Sequence, residues 1–265
     1  MRKLVGPFAA FVILLTSAFG QTAVAPASDP NAIAALQQSL AALGTSTANA
    51  PTSLSATATL TKYVGANSTS FAVRLEALGT DKFRRETDLP DGTHVVIVRG
   101  HAGWGVSPTR TDGLSLSQLA GSKFEDLPVL AISRWLTSAN VQIQPPKPET
   151  LNGAPVVHLW VQPTAPADAT AQQRSIYQET SRCEMFLDSQ TYLPVRIRYY
   201  SHPNDWRLAI PVDLALSDYR PVNGVLFPFS ITKYVRGVKL SSLQYQSFTL
   251  NPPLADSDFQ AEVTQ

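Results

Sequence analysis
The chain has 265 residues, 44% of them hydrophobic and 15% charged, with 21 basic against 20 acidic side chains. So even a balance leaves no electrostatic footprint for nucleic acid or for an anionic membrane surface. Cys183 is the single cysteine, which excludes an intramolecular disulfide.

The N-terminus reads as a cleavable secretory signal. Arg2 and Lys3 form a positive start, residues 8–15 are apolar, and small residues stand at Ala18 and Gly20. The apolar stretch falls short of the about 20 residues that a spanning helix needs; the alternative is a retained interfacial anchor. Cleavage near Gly20 leaves Gln21 first, and no cysteine follows the cut, so the mature chain is expected to be soluble and not lipid-anchored. Residues 21–28 read as a flexible leader, 29–260 as one domain and 261–265 as a tail.

Asp29-Pro30 supplies an N-cap and a first-turn proline, Ile33, Leu36, Leu40 and Leu43 share one helical face, and Gly44 stops that helix. The period then changes from 3.6 to 2. Leu54, Ala56, Ala58 and Leu60 alternate with polar residues, as do Phe71, Val73, Leu75 and Ala77. Turns at 66–68, 79–81 and 90–92 separate further strands at 82–87 and 94–98, and a turn at 100–103 introduces Trp104. Residues 114–119 and 125–136 read as helices. The prolines at 145, 146 and 148 mark a rigid loop, 155–161 a strand and 163–171 a mobile loop. Strands are expected at 174–187, 193–200, 207–219, 225–234 and 239–249, with Asn223-Gly224 as a hairpin turn. No βαβ rhythm and no internal repeat is present. The fold class is therefore mainly β (α+β): one antiparallel, strongly curved sheet of about 10–11 strands.

Several segments, taken in order, resemble the Lol-type lipoprotein carriers of the bacterial periplasm (LolA/LolB-like). They are the leading amphipathic helix, the paired strands 55–64 and 70–78, the run Val98-Arg99-Gly100-His101-Ala102-Gly103-Trp104 and the helix at 127–136. The turn through Asp188, Thr191 and Pro194 looks like the Asp-x-x-Thr-x-x-Pro turn of that superfamily. Ser217-Asp218-Tyr219-Arg220, Asn223-Gly224, Phe227-Pro228 and the ending from Leu250 to Phe259 are similar to its closing run. The resemblance covers about residues 31–260. It implies an incomplete β-barrel lidded by the N-terminal helix and short central helices, a hydrophobic cavity for acyl chains, and a location in the periplasm. The family keeps an arginine at the end of its second strand, whereas residues 78–80 carry none and the nearest are Arg84 and Arg85.

By alternation, Phe71, Val73, Leu75, Val95, Ile97, Val195, Ile197, Phe227, Phe229 and Ile231 are candidates to line such a cavity; ordinary core is the alternative for each. Ala56 and Ala58 would leave room there. Trp104 and Trp135 are candidates for the cavity mouth, and Arg84 and Arg85 for a polar rim. Cys183 is expected to be buried, His158 to face solvent or a rim, and Asp256 and Asp258 to form a solvated tail.

Catalytic signatures are missing: no Gly-x-Ser-x-Gly, no His-Glu-x-x-His and no glycine-rich phosphate loop. The expectation is a non-enzyme with no catalytic residue, cofactor or metal. It would hold acyl chains of a lipid or lipoprotein as a mobile, monomeric carrier toward the outer membrane, with inner-membrane donor and outer-membrane acceptor proteins as partners. The alternatives are a periplasmic sensor or interaction domain of the same fold, or a structural protein with a filled core.

Overall fold
A computed structural model describes residues 28–261, apart from 80, 101, 116–117, 120–126, 166–167 and 204–206. The expected signal, most of the leader and the last residues of the tail lie outside the described residues.

Helix α1 (Pro30–Ala42) starts where the sequence places it. The Asp29 carboxylate accepts the N–H groups of Asn31 and Ala32 at 2.9 and 3.1 Å, closing the free donors of the first turn. Leu36, Leu40 and Leu43 are fully buried. At the far end the Leu43 carbonyl accepts the Leu226 N–H at 2.8 Å, and Gly44 takes a left-handed conformation, φ +79°.

Among the described residues, fourteen strands form one antiparallel sheet. They are β1 (Ser53–Val64), β2 (Asn67–Leu78), β3 (Lys82–Leu89), β4 (Gly92–Arg99), β5 (Ala102–Ser107), β6 (Arg110–Gly113), β7 (Val141–Ile143), β8 (Lys147–Leu151) and β9 (Ala154–Pro163). They continue with β10 (Cys183–Asp188), β11 (Pro194–Ser201), β12 (Ile210–Val222), β13 (Val225–Val235) and β14 (Val238–Leu250). Helix α2 (Pro128–Thr137) precedes β7 and helix α3 (Ala171–Ser181) precedes β10. The spatial order is β6-β5-β4-β3-β2-β1-β14-β13-β12-β11-β10-β9-β7, with β8 also on β9. The end strands β6 and β7 do not pair with each other, so the barrel is incomplete. Helices α1 and α2 pack together, and their apolar residues join the core on one face of the sheet, called inner here.

The expected strand count falls short because β6, β7 and β8 are three to five residues long, too short for alternation to stand out, and prolines surround β8. The strand expected from 174 is instead helix α3 up to Ser181. Thr170 accepts the Gln173 N–H while the Gln173 side chain accepts the Thr170 N–H, a capping box that starts a helix. The expected loop at 163–171 contains the end of β9 and this cap.

Two expected turns are built as read. The Asp188 carboxylate accepts N–H groups from Gln190 and Thr191 and the Thr191 hydroxyl, and these bonds hold its carboxyl below the usual range. Asn223 and Gly224 both take positive φ and join β12 to β13. The C-terminal tail corrects the reading of Asp256 and Asp258. Residues Asp256–Phe259 form a 3-10 turn in which Phe259 is fully buried. Asp256 pairs with Lys82 at 2.9 Å and Arg99 at 3.3 Å, and Asp258 accepts the Ala255 N–H.

A Cβ at Gly44 would stand 2.2 Å from the Gly224 carbonyl oxygen, on a backbone already left-handed. Gly44→Ala should therefore cost about 2 kcal/mol or more in urea unfolding, through strain and lost docking of α1 on the β12–β13 turn.

Candidate functional site
The register decides which side chains meet on the inner face. Leu54, Ala56 and Ala58 of β1 stand opposite Ala77, Leu75 and Val73 of β2, and all six are buried. Across the other edge of β1, Ala56 faces Phe248 and Ala58 faces Tyr245. Phe248 stacks on Phe227 at 4.6 Å and meets Phe229 edge-on at 5.2 Å. The room expected beneath the two alanines is thus matched by large aromatics of β14. Ile231, Ile197, Leu214 and Met185 continue the same face toward β10.

The candidate residues divide. Val73, Leu75, Ile197, Phe227, Phe229 and Ile231 lie buried on the inner face. Trp135 is buried in α2, 3% exposed, within the same core. Phe71, opposite Leu60, is half-buried under the Lys62 ammonium, 5.3 Å from the ring centre. Val195 is half-buried where the β10–β11 register shifts.

Val95, Ile97 and Trp104 do not join them. Arg85 pairs with Leu75 on one side and Val96 on the other, so Val96 and Val98 face inward while Val95 and Ile97 face out. Trp104 lies opposite Ile97 on that outer face. Four consecutive apolar residues, Val95 to Val98, carry no alternation, and only the neighbouring strand fixes their phase. The inner face of β5 is made by Gly103 and Gly105, packed against Leu114 and Leu119.

Arg84 and Arg85 cannot share one rim, because adjacent strand residues point to opposite faces. Arg84 is outward, donating to Glu86 and to the Asp258 carbonyl. Arg85 is inward. With Lys233 and Ser241 it lines a small cavity of about 40 Å³ whose other walls are Leu60, Val73, Leu214, Ile231 and Leu243. That volume is about one water molecule. Two hydroxyls of the covering helices, Ser39 of α1 and Ser133 of α2, are buried without a hydrogen-bond partner among the described residues.

A polar cluster that the sequence reading missed lies on the outer face of β9–β11. His158 is buried, 7% exposed, rather than facing solvent. Its Nδ1 lies 2.8 Å from Glu149 and its Nε2 3.2 Å from Glu184, and its ring stacks on Phe186 at 4.2 Å. The Tyr200 hydroxyl donates to Glu184 at 2.7 Å. Burial pushes the Glu184 carboxyl up, but hydrogen bonds with His158 and Tyr200, with Arg198 nearby, outweigh it and hold the group below its usual range. Cys183, its neighbour in sequence, faces the core, and burial raises its thiol pKa. The signal for this cluster was the placing of His158 and Glu184 at alternate positions between apolar neighbours, which a single strand cannot interpret.

The sequence matches no family model and no curated protein. Solved structures share its fold. A LolA superfamily protein from Nitrosomonas europaea superposes with a TM-score of 0.60 at 13% identity, over 87% of this chain and 97% of that one. A domain named for outer membrane lipoprotein sorting, from Vibrio parahaemolyticus, gives 0.56 at 17% identity, over 86% and 96%. This chain shares the fold of these two structures: an incomplete antiparallel barrel with helices over its inner face.

Glu184 is depressed in the folded chain, so it contributes stability above its unfolded value near 4.5 and loses that contribution as pH falls through the folded value. Acid unfolding of Glu184→Gln followed by circular dichroism should show a smaller loss of stability between about pH 5 and 3 than the parent chain shows. An unchanged pH slope would sever Glu184 from the acid response.

Proposed function
We propose that the protein binds acyl chains of a lipid or lipoprotein between the inner face of the sheet and helices α1 and α2, as a mobile carrier exported to the bacterial periplasm. The observation that carries this is an apolar inner face running across β1, β2 and β9–β14, covered by helices because the sheet ends at β6 and β7 without closing. The two solved relatives of this fold, named for the LolA superfamily and for lipoprotein sorting, support the same direction.

Opening requires the helical cover to move. Helix α2 meets the core through Val129, Leu130, Ile132 and Trp135, and no side chain caps its N-terminus. The unpartnered hydroxyls of Ser39 and Ser133 lower the stability of the closed arrangement. An entering chain would replace protein–protein apolar contacts with protein–lipid ones. Each methylene buried is worth about 0.8 kcal/mol, so fourteen supply on the order of 11 kcal/mol before ordering costs. Arg85 and Lys233 line the residual cavity beside five apolar side chains, a composition that suits a chain with an anionic end. Transfer would follow differential affinity between donor and acceptor, with no covalent step.

The test is uptake. Protein isolated from its native envelope should yield lipid by mass spectrometry, and the delipidated protein should take up a fluorescent fatty acid saturably. Val73→Trp, which fills the residual cavity from the sheet side, should weaken uptake about tenfold or more while the far-ultraviolet spectrum is kept. Lipid-free native protein that also takes up no fatty acid would sink the carrier reading. A chain of unchanged N-terminal sequence in the periplasmic fraction would sink the cleaved signal.

A further inference from the structure
The outer face carries a second concavity, separate from the inner face and independent of the carrier reading. Between β11, β12 and the β13–β14 turn lies an open groove of about 630 Å³, within the ordinary range for small-molecule sites. Its polar lining includes Arg196, Arg198, Tyr200, Asp213 and Arg236, with Asn152 of the β8–β9 turn and Tyr234 beside them, and Pro211 and Ala215 supply apolar floor. Three guanidiniums therefore share one carboxylate.

That carboxylate is already committed. Arg198 donates to Asp213 from Nε at 2.8 Å and from Nη2 at 3.1 Å, a two-pronged pair that raises the Arg198 pKa. Arg196, two residues along β11 on the same outer face, reaches Asp213 only at 4.0 Å. Its side chain is 18% exposed, and its Nε is buried with no hydrogen-bond partner among the described residues. A buried cationic donor without an acceptor is rare in folded chains and calls for a missing acceptor. Arg236 stands on the turn at the groove's end, φ +50°, held there by its own N–H donating to the Pro211 carbonyl at 3.0 Å. Among the described residues its side chain has no ion pair. Tyr200, also in the lining, donates its hydroxyl to the buried Glu184 at 2.7 Å, a carboxylate opposite Arg198 on the same face whose charge helps raise the Arg198 pKa.

We propose that this groove binds a phosphate group, held between Arg196 and Arg236 above the Arg198–Asp213 pair. A tetrahedral oxyanion presents oxygens in several directions, so it accepts from both guanidiniums at once, and the lining retains two positive charges after Asp213 is neutralised. Free phosphate and the phosphomonoester headgroup of phosphatidic acid carry the same chemistry, whereas the phosphodiester of phosphatidylcholine is capped by choline.

Calorimetry with inorganic phosphate at low ionic strength, and flotation with phosphatidylcholine vesicles with or without phosphatidic acid, test the assignment and separate its sources. Saturable phosphate binding points to the free ion. Binding only to the phosphatidic acid vesicles points to a headgroup, and competition between the two points to one site for both; each supports the proposal. Arg196→Gln and Arg236→Gln should each weaken the interaction about tenfold or more. Arg236→Gln changes an exposed turn residue, so it serves if Arg196→Gln fails to fold. Arg110→Gln, in an exposed pair with Asp112 on β6, should leave the affinity unchanged. No saturable binding to either probe overturns the proposal. So does wild-type affinity in both groove variants, or equal weakening by Arg110→Gln, which would mean diffuse charge.

Discussion

The pairing of β1 with β14 is the interaction on which the rest of the structure depends. Strands β1–β6 form one local meander and β9–β14 another, each with a single apolar face and each too narrow to bury it. The β1–β14 ladder joins them into one surface, with Leu54 beside Leu250, Ala56 beside Phe248 and Leu60 beside Leu243. Its end is clasped by side chains as well: Ser53 donates to the Pro252 carbonyl at 2.7 Å and Asn251 accepts the Thr52 N–H at 2.9 Å. The partners are nearly two hundred residues apart in the chain, so this closure must wait for both meanders.

What the ladder does not do is complete the barrel. With β6 and β7 left as edges, the inner face has no facing sheet to pack on. Helices take that place, held by apolar contact and, at the ends of α1, by backbone bonds from the Leu226 N–H to the Leu43 carbonyl and from the Asp29 N–H to the Ile143 carbonyl. Large aromatics of β13 and β14 stand against the alanines of β1 and stack on one another.

The outer face follows different rules. A sheet open to water on one side usually shows a plain polar exterior, yet here two stretches are buried. Ile97 and Phe259 pack where the C-terminal 3-10 turn crosses β3 and β4, pinned by Asp256 on Lys82 and Arg99. Further round, His158, Glu184 and Tyr200 form a buried polar cluster beside the arginine groove. Each of these groupings draws residues from distant strands, and none has a sequence pattern of its own.

Local signals were legible wherever a short stretch closes its own hydrogen bonds. The Asp29 cap, the Asn223-Gly224 hairpin and the Asp188 turn each satisfy donors within a few residues, so they could be read without knowing the fold. The capping box at Thr170 and Gln173 belongs to the same class, and the apolar alternation of the strand after it obscured it. The phase of Val95 to Val98, the inward direction of Arg85 and the burial of His158 belong to another class. Alternation shows that a strand has two faces; which one is inward is set by the register of its neighbour. By itself the sequence determined the elements, the antiparallel class and the apolar character of the surface to be buried, because these depend on contacts a few residues apart. Only the tertiary structure decided which side chains share a face and which charges meet, because those contacts form between strands that the chain does not place side by side until β1 finds β14.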